Sequence, residues 1–141
     1  FVFMLSLSYI TYYTTFFCII KQGDVMKLLN TYTLEIKKSK FIAYYYEVDT
    51  KNEVLEILEE LKKEHKKARH IPYAYKIDNE IKKTDDKEPS GTSGMPILNI
   101  IEKNNLNHCL IAVVRYFGGI KLGAGGLIRA YSNTAKEVIL K

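Results

Sequence analysis

The stretch His108–Arg129, HCLIAVVRYFGGIKLGAGGLIR, decides the fold. His108–Phe117 is mostly apolar and rich in strand-forming side chains, which predicts a long strand in the middle of a sheet. Leu110, Ala112 and Val114 should face one side of that sheet and Ile111 and Val113 the other, with both sides covered. Gly118–Gly126 then places five glycines in nine residues. After it, Leu127, Ala130, Tyr131, Ala135, Val138 and Ile139 recur at helical spacing as far as Leu140. The stretch therefore reads as strand, glycine-rich turn, helix.

The chain upstream supplies the partners. Tyr32, Leu34 and Ile36 alternate with polar residues, as in a half-buried strand. Phe41–Val48 is apolar on both faces and suits a central strand. Thr50 and Glu53 form a capping box ahead of Val54, Ile57, Leu58 and Leu61, one face of a helix that should run to about Lys67. Its end, Lys62–His70, is basic, which complements the helix dipole and also offers an anion-binding patch. Tyr73–Ile77 and Ile81–Thr84 flank an Asp78-Asn79 turn as two short strands. A polar loop, Thr84–Gly94, leads to Pro96 at the first position of a helix reaching about Lys103. The order β-β-α-β-β-α-β-α lacks strict βαβ alternation and argues for the α+β class.

Composition narrows the function classes. With 2 Cys outside any C-x-x-C pair and 3 His without matched spacing, a disulfide scaffold and a structural zinc site are both excluded. The formal net charge of +5 belongs entirely to the part after Met26, because Lys21 and Asp24 cancel. That charge tolerates an anionic partner without demanding one. Phe1–Ile20 is uncharged and just long enough to span a bilayer. It has no basic start and no small-residue cleavage site, so it does not read as a secretory signal. Residues 1–25 are read as an over-extended reading frame, with a membrane anchor or a native core segment as alternatives. The domain proper is expected at 26–141, in the cytoplasm, with a membrane role only if the 1–20 segment is real.

Two motifs carry candidate chemistry. Asp85-Asp86-Lys87-Glu88-Pro89-Ser90-Gly91-Thr92-Ser93-Gly94 sets carboxylates before glycines and hydroxyls. Such residues can hold a magnesium ion or cradle an anion. The plainer reading is a tight loop that caps the following helix. Arg115–Arg129 turns a strand into a helix through Gly118, Gly119, Gly123, Gly125 and Gly126. Its free N–H groups and positive helix end suit phosphate, with Arg115, Lys121 and Arg129 adding charge. The specific nucleotide patterns fail. Ala124 follows Gly123 where a P-loop has Lys, and Ile128 stands where the dinucleotide fingerprint has Gly. Close helix–strand packing, which also needs small residues, is the structural alternative. His70 and His108 read as strand or helix-end residues, and Cys109 as a buried, inert thiol. No Ser/Cys–His pairing supports nucleophilic catalysis.

These residues also carry a resemblance. Ser39-Lys40-Phe41-Ile42, Ala68-Arg69-His70, Ala74-Tyr75, Asp85-Asp86 with Glu88-Pro89-Ser90-Gly91-Thr92, and Arg115-Tyr116-Phe117-Gly118-Gly119-Ile120-Lys121-Leu122-Gly123 resemble the YigZ/IMPACT family in order and spacing. The resemblance spans about Thr31 to Leu140. It implies a fold like the second domain of ribosomal protein five of the small subunit: a two-layer sandwich, its mixed sheet carrying helices on one face. It implies a second, ferredoxin-like domain in bacterial members, which would begin where this chain ends. It also implies a non-enzymatic role in translation or its stress regulation, with RNA, the ribosome or a ribosome-associated protein as partner and no cofactor. An enzyme or sensor of a small phosphorylated ligand, with magnesium at the acidic loop, is the alternative. The partner surface would comprise Asp86, Glu88, Ser90, Gly91, Thr92, Arg115, Gly118, Gly119, Lys121, Gly123, Gly125, Gly126 and Arg129. Three positions depart from the family pattern: Lys87 stands where Gly is usual, Tyr73 or a neighbour where Cys is frequent, and Ala124 where Thr is common.

Overall fold

A computed structural model of the chain describes residues 27–140. The expectations for residues 1–25 fall outside the described residues. The elements, in order, are β1 (Leu28–Ile36), β2 (Ser39–Glu47), α1 (Lys51–Glu64), β3 (Tyr73–Ile77), β4 (Glu80–Thr84), α2 (Gly94–Lys103), β5 (Cys109–Tyr116) and α3 (Gly123–Ile139). The five strands form one sheet in the order β1-β2-β5-β3-β4.

The last strand is the central one. β5 pairs with β2 on one side, from Lys40↔Tyr116 to Glu47↔Cys109, and with β3 on the other. Both pairings are antiparallel, as are β1–β2 and β3–β4. The mixed sheet implied by the resemblance is thus corrected to a wholly antiparallel one. The β2-α1-β3 connection does set β2 and β3 in the same direction, but β5 inserts between them, so no parallel neighbours remain.

Helices cover both faces of the sheet, which corrects the one-face arrangement. Ile111 and Val113 of β5 join Phe41, Ala43 and Ala74 against Ile97 and Ile101 of α2 and Leu127, Tyr131 and Val138 of α3. Leu110, Ala112 and Val114 join Val48, Tyr75 and Ile77 against Val54, Ile57, Leu58 and Leu61 of α1. A strand apolar on both faces leaves no alternative. Each buried aliphatic side chain stabilises the fold by about 1.5–3 kcal/mol, and one layer of helices would forfeit half of that.

Local chemistry sets the boundaries. Lys37 and Lys38, at φ 48° and 70°, make the two-residue turn between β1 and β2, the backbone twist such a hairpin requires. Thr50 Oγ1 accepts the Glu53 N–H at 3.2 Å, and Glu53 Oε1 accepts the Asp49 N–H at 2.7 Å, completing the box at the start of α1. α1 stops at Glu64, short of Lys67, with His65 as its C-cap. The His65 ring is fixed from both sides, Nε2 to Tyr44 Oη at 2.8 Å and Nδ1 to Tyr116 Oη at 2.6 Å. Among the described residues, no helix is long and apolar enough to cross a membrane.

Candidate functional site

Three elements meet at one buried carboxylate. Glu88 lies in the loop between β4 and α2, Arg115 near the end of β5, and Tyr131 two turns into α3; all three side chains are buried. Arg115 Nη1 donates to Glu88 Oε1 at 3.0 Å and to Oε2 at 2.9 Å. Tyr131 donates its hydroxyl to Glu88 Oε2. The Arg115 guanidinium also lies over the rings of Phe41 and Phe117, 5.5 Å from each centroid. Burial, then the adjoining Glu88 charge, push the Tyr131 phenol far above its ordinary value. The network closes on itself and is neutral overall. Arg115 Nε is buried and lacks a hydrogen-bond partner within the described residues.

His70 completes the perimeter. Its Nδ1 lies 2.8 Å from the Asp86 carbonyl oxygen, which only accepts, so Nδ1 carries the proton. The other nitrogen, Nε2, then faces Glu88 Oε1 at 3.8 Å. Asp86 itself accepts the Ile71 N–H through Oδ2 at 2.7 Å.

The first acid of the loop has a structural task. Asp85 Oδ1 accepts the N–H of Gly94 at 2.7 Å, the N–H of Ser93 at 3.2 Å and the Ser93 hydroxyl at 2.9 Å. Its Oδ2 accepts the Gly91 N–H at 2.9 Å. Partial burial works against the charged form, but these bonds outweigh it and hold the Asp85 carboxyl below its usual range. Asp85 therefore caps α2, which begins at Gly94, two residues ahead of the expected Pro96. Thr92 Oγ1 is likewise engaged, donating to the Pro89 carbonyl at 2.6 Å. Ser90 and Gly91 are exposed on the outside of the loop.

The glycine run divides in two. Gly123, Ala124, Gly125 and Gly126 are the first turn of α3, which starts four residues earlier than Leu127. Gly118 is a packing glycine: a Cβ there would fall 1.9 Å from the Lys38 carbonyl oxygen. Gly119 and Gly123, at φ 94° and 79°, have open space around them and serve the backbone conformation. Lys121 and Arg129 are exposed, and neither joins an ion pair among the described residues. The start of α3 has no side-chain cap and no acidic residue in its first turn.

The expected site residues are thus sorted by the fold. Glu88 and Arg115 pair with each other in the interior, away from any rim. Asp86 lines a groove of ≈ 360 Å³ between α1 and β3–β4, to which the glycine run does not contribute. Lys121, Arg129, Gly119, Gly123 and Gly125 are all exposed. The Tyr131 contact was missed because the residue falls on the apolar face of a helix; a phenol at a fully buried position needs a hydrogen-bond partner, and that is the available signal. The Cys109 thiol is buried and pushed up to about 12 by that burial. Among the described residues, no group of three or more His, Cys, Asp or Glu side chains could hold a metal ion.

The model of the Impact N-terminal domain matches residues 37–139. IMPACT family member YvyE of Bacillus subtilis (strain 168) is 57% identical over 56 residues, 40% of this chain and 26% of that protein. The IMPACT family member in the pol 5′ region of Thermus thermophilus is 54% identical over 56 residues, 40% of this chain and 31% of its own length. IMPACT family member YigZ of Escherichia coli (strain K12) is 41% identical over 56 residues, 40% of this chain and 28% of its own. These matches take in under a third of the relatives' length. A crystal structure of a hypothetical protein superposes with a TM-score of 0.75 and 32% identity, over 80% of this chain and 59% of that one.

Proposed function

The chain belongs to the family of the Impact N-terminal domain, and from that premise we propose that it is a non-catalytic binding module acting in translation or its stress regulation. Its partner is an RNA or a ribosome-borne phosphate surface, held at Gly118–Arg129. One observation carries this reading: Glu88 and Asp85 are tied up within the fold, while Lys121 and Arg129 are left outside. Glu88 is neutralised by Arg115 in the interior, and Asp85 is committed to capping α2. Lys121 and Arg129 flank an uncapped helix start with free N–H groups.

A further cation adjoins that surface. The Arg69 guanidinium sits 5.2 Å over the Phe117 ring, one residue before Gly118. The inert Cys109 thiol and the engaged hydroxyls of Thr92 and Ser93 favour binding over nucleophilic chemistry.

A thermal-shift screen tests the choice of ligand class. Single-stranded RNA oligonucleotides should raise the melting temperature with a strong salt dependence. Mononucleotides, with or without magnesium, should not. Stabilisation by a mononucleotide only when magnesium is present would replace this reading with that of a small-ligand sensor.

A further inference from the structure

We propose that the free edge of β4, with the groove beside it, is a second binding site, which takes an extended acidic segment of a partner protein as a sixth strand. It is independent of the phosphate surface.

Among the described residues, β4 ends the sheet, bonded on one side to β3 alone. In an antiparallel edge strand every second N–H and C=O points outward without a ladder partner, which is a template for another strand. Glu80, Ile81, Lys82 and Lys83 are all exposed. Tyr73 and Tyr75 belong to the α1 side of the sheet, so their cross-strand partners Thr84 and Lys82 share that side, and Lys83 and Ile81 share the other. On the α1 side the groove opens at Thr84 and Tyr73, with Ile71 beneath and Leu55 of α1, 49% exposed, as its wall.

Charge selects the occupant. Lys82 and Lys83 sit mid-strand on opposite faces, and Lys62 stands at the groove's rim. The nearby acids are partly engaged: the Glu80 carboxylate accepts the Tyr75 hydroxyl, and Asp86 accepts the Ile71 N–H. Glu59 is the remaining rim acid. In full antiparallel register, a second copy of this chain paired through β4 would set Lys82 against Lys82, which disfavours that self-association. An incoming strand instead gains by placing acids opposite Lys82 and Lys83. An apolar side chain opposite Thr84 enters the groove, and another opposite Ile81 covers that exposed side chain. The preferred segment therefore reads apolar-acidic-acidic-apolar.

The test uses the full chain and the blocked peptide acetyl-Thr-Leu-Glu-Glu-Val-Thr-amide, with a lysine version (Leu-Lys-Lys-Val) and a scrambled one (Glu-Leu-Val-Glu). Amide exchange should slow at alternate residues of Glu80–Thr84 when the acidic peptide is present, and for neither control. Leu55→Glu and the Lys82→Glu/Lys83→Glu pair, all surface changes, should each weaken binding by about fivefold, the equivalent of one good cross-strand contact. Lys136→Glu, on α3, should leave binding unchanged. Equal binding of the scrambled peptide, or binding without slowed exchange in β4, overturns the proposal. So does slow exchange of the β4 edge amides already present in the free chain, which would assign the edge to another part of this protein or to a second copy.

Discussion

Arg115 and Glu88 face each other inside the domain, one guanidinium nitrogen 2.9 and 3.0 Å from the two carboxylate oxygens. The pair ties the central strand to the loop ahead of α2, and through Tyr131 to α3. Removing one partner leaves a buried charge uncompensated. Glu88→Gln or Arg115→Met alone is therefore expected to cost about 3–5 kcal/mol of unfolding free energy, and the double variant less than the sum. Urea denaturation of the three variants checks this. Single variants within about 1 kcal/mol of the parent would mean the pair is solvated in solution.

Asp85 supplies a pH dependence whose sign is fixed. Its carboxyl is held below the usual value by its hydrogen bonds to Gly91, Ser93 and Gly94. The stability it contributes is therefore complete above the ordinary carboxylate range and is lost as pH falls through the lowered folded-state value. Asp85→Asn is expected to cost about 1–2 kcal/mol near neutral pH. The gap between variant and parent should close as the solution is made strongly acid. A gap that is constant from neutral to acid pH would contradict the assignment.

The backbone makes two opposite predictions about glycine. Lys87 sits at φ 73°, in the left-handed region that favours Gly. Lys87→Gly should stabilise the domain by about 0.5–1 kcal/mol, because the left-handed cost exceeds the added chain entropy. Gly118→Ala should destabilise it by about 2 kcal/mol or more, since a new methyl group would meet the Lys38 carbonyl. Thermal melts of both variants, shifting in opposite directions, are the expected result.

The order of all eight elements, the two-sided burial of Leu110–Val114 and the Thr50–Glu53 box follow from periodicity and capping, which act over a few residues. The place of β5 between β2 and β3 does not, because local pattern carries no information about which strands become neighbours. Gly123–Gly126 read as loop since glycine is a weak helix former; the packing of Leu127, Tyr131 and Val138 overrides that propensity. The groups named for the phosphate surface were visible by type. Their division into an inward pair, Glu88 and Arg115, and an outward pair, Lys121 and Arg129, depended on burial, which residue type alone leaves open.

The central claim is that the outward pair meets phosphate. Its most direct measurement is the affinity for a single-stranded RNA oligonucleotide across a salt series, for the parent chain and for Lys121→Glu/Arg129→Glu. Both side chains are exposed, so the fold should be retained. The account predicts a loss of at least about tenfold near physiological salt, with the slope of log affinity against log salt reduced by about 1.4, as for two lost phosphate contacts. Unchanged affinity with an unchanged slope would contradict it.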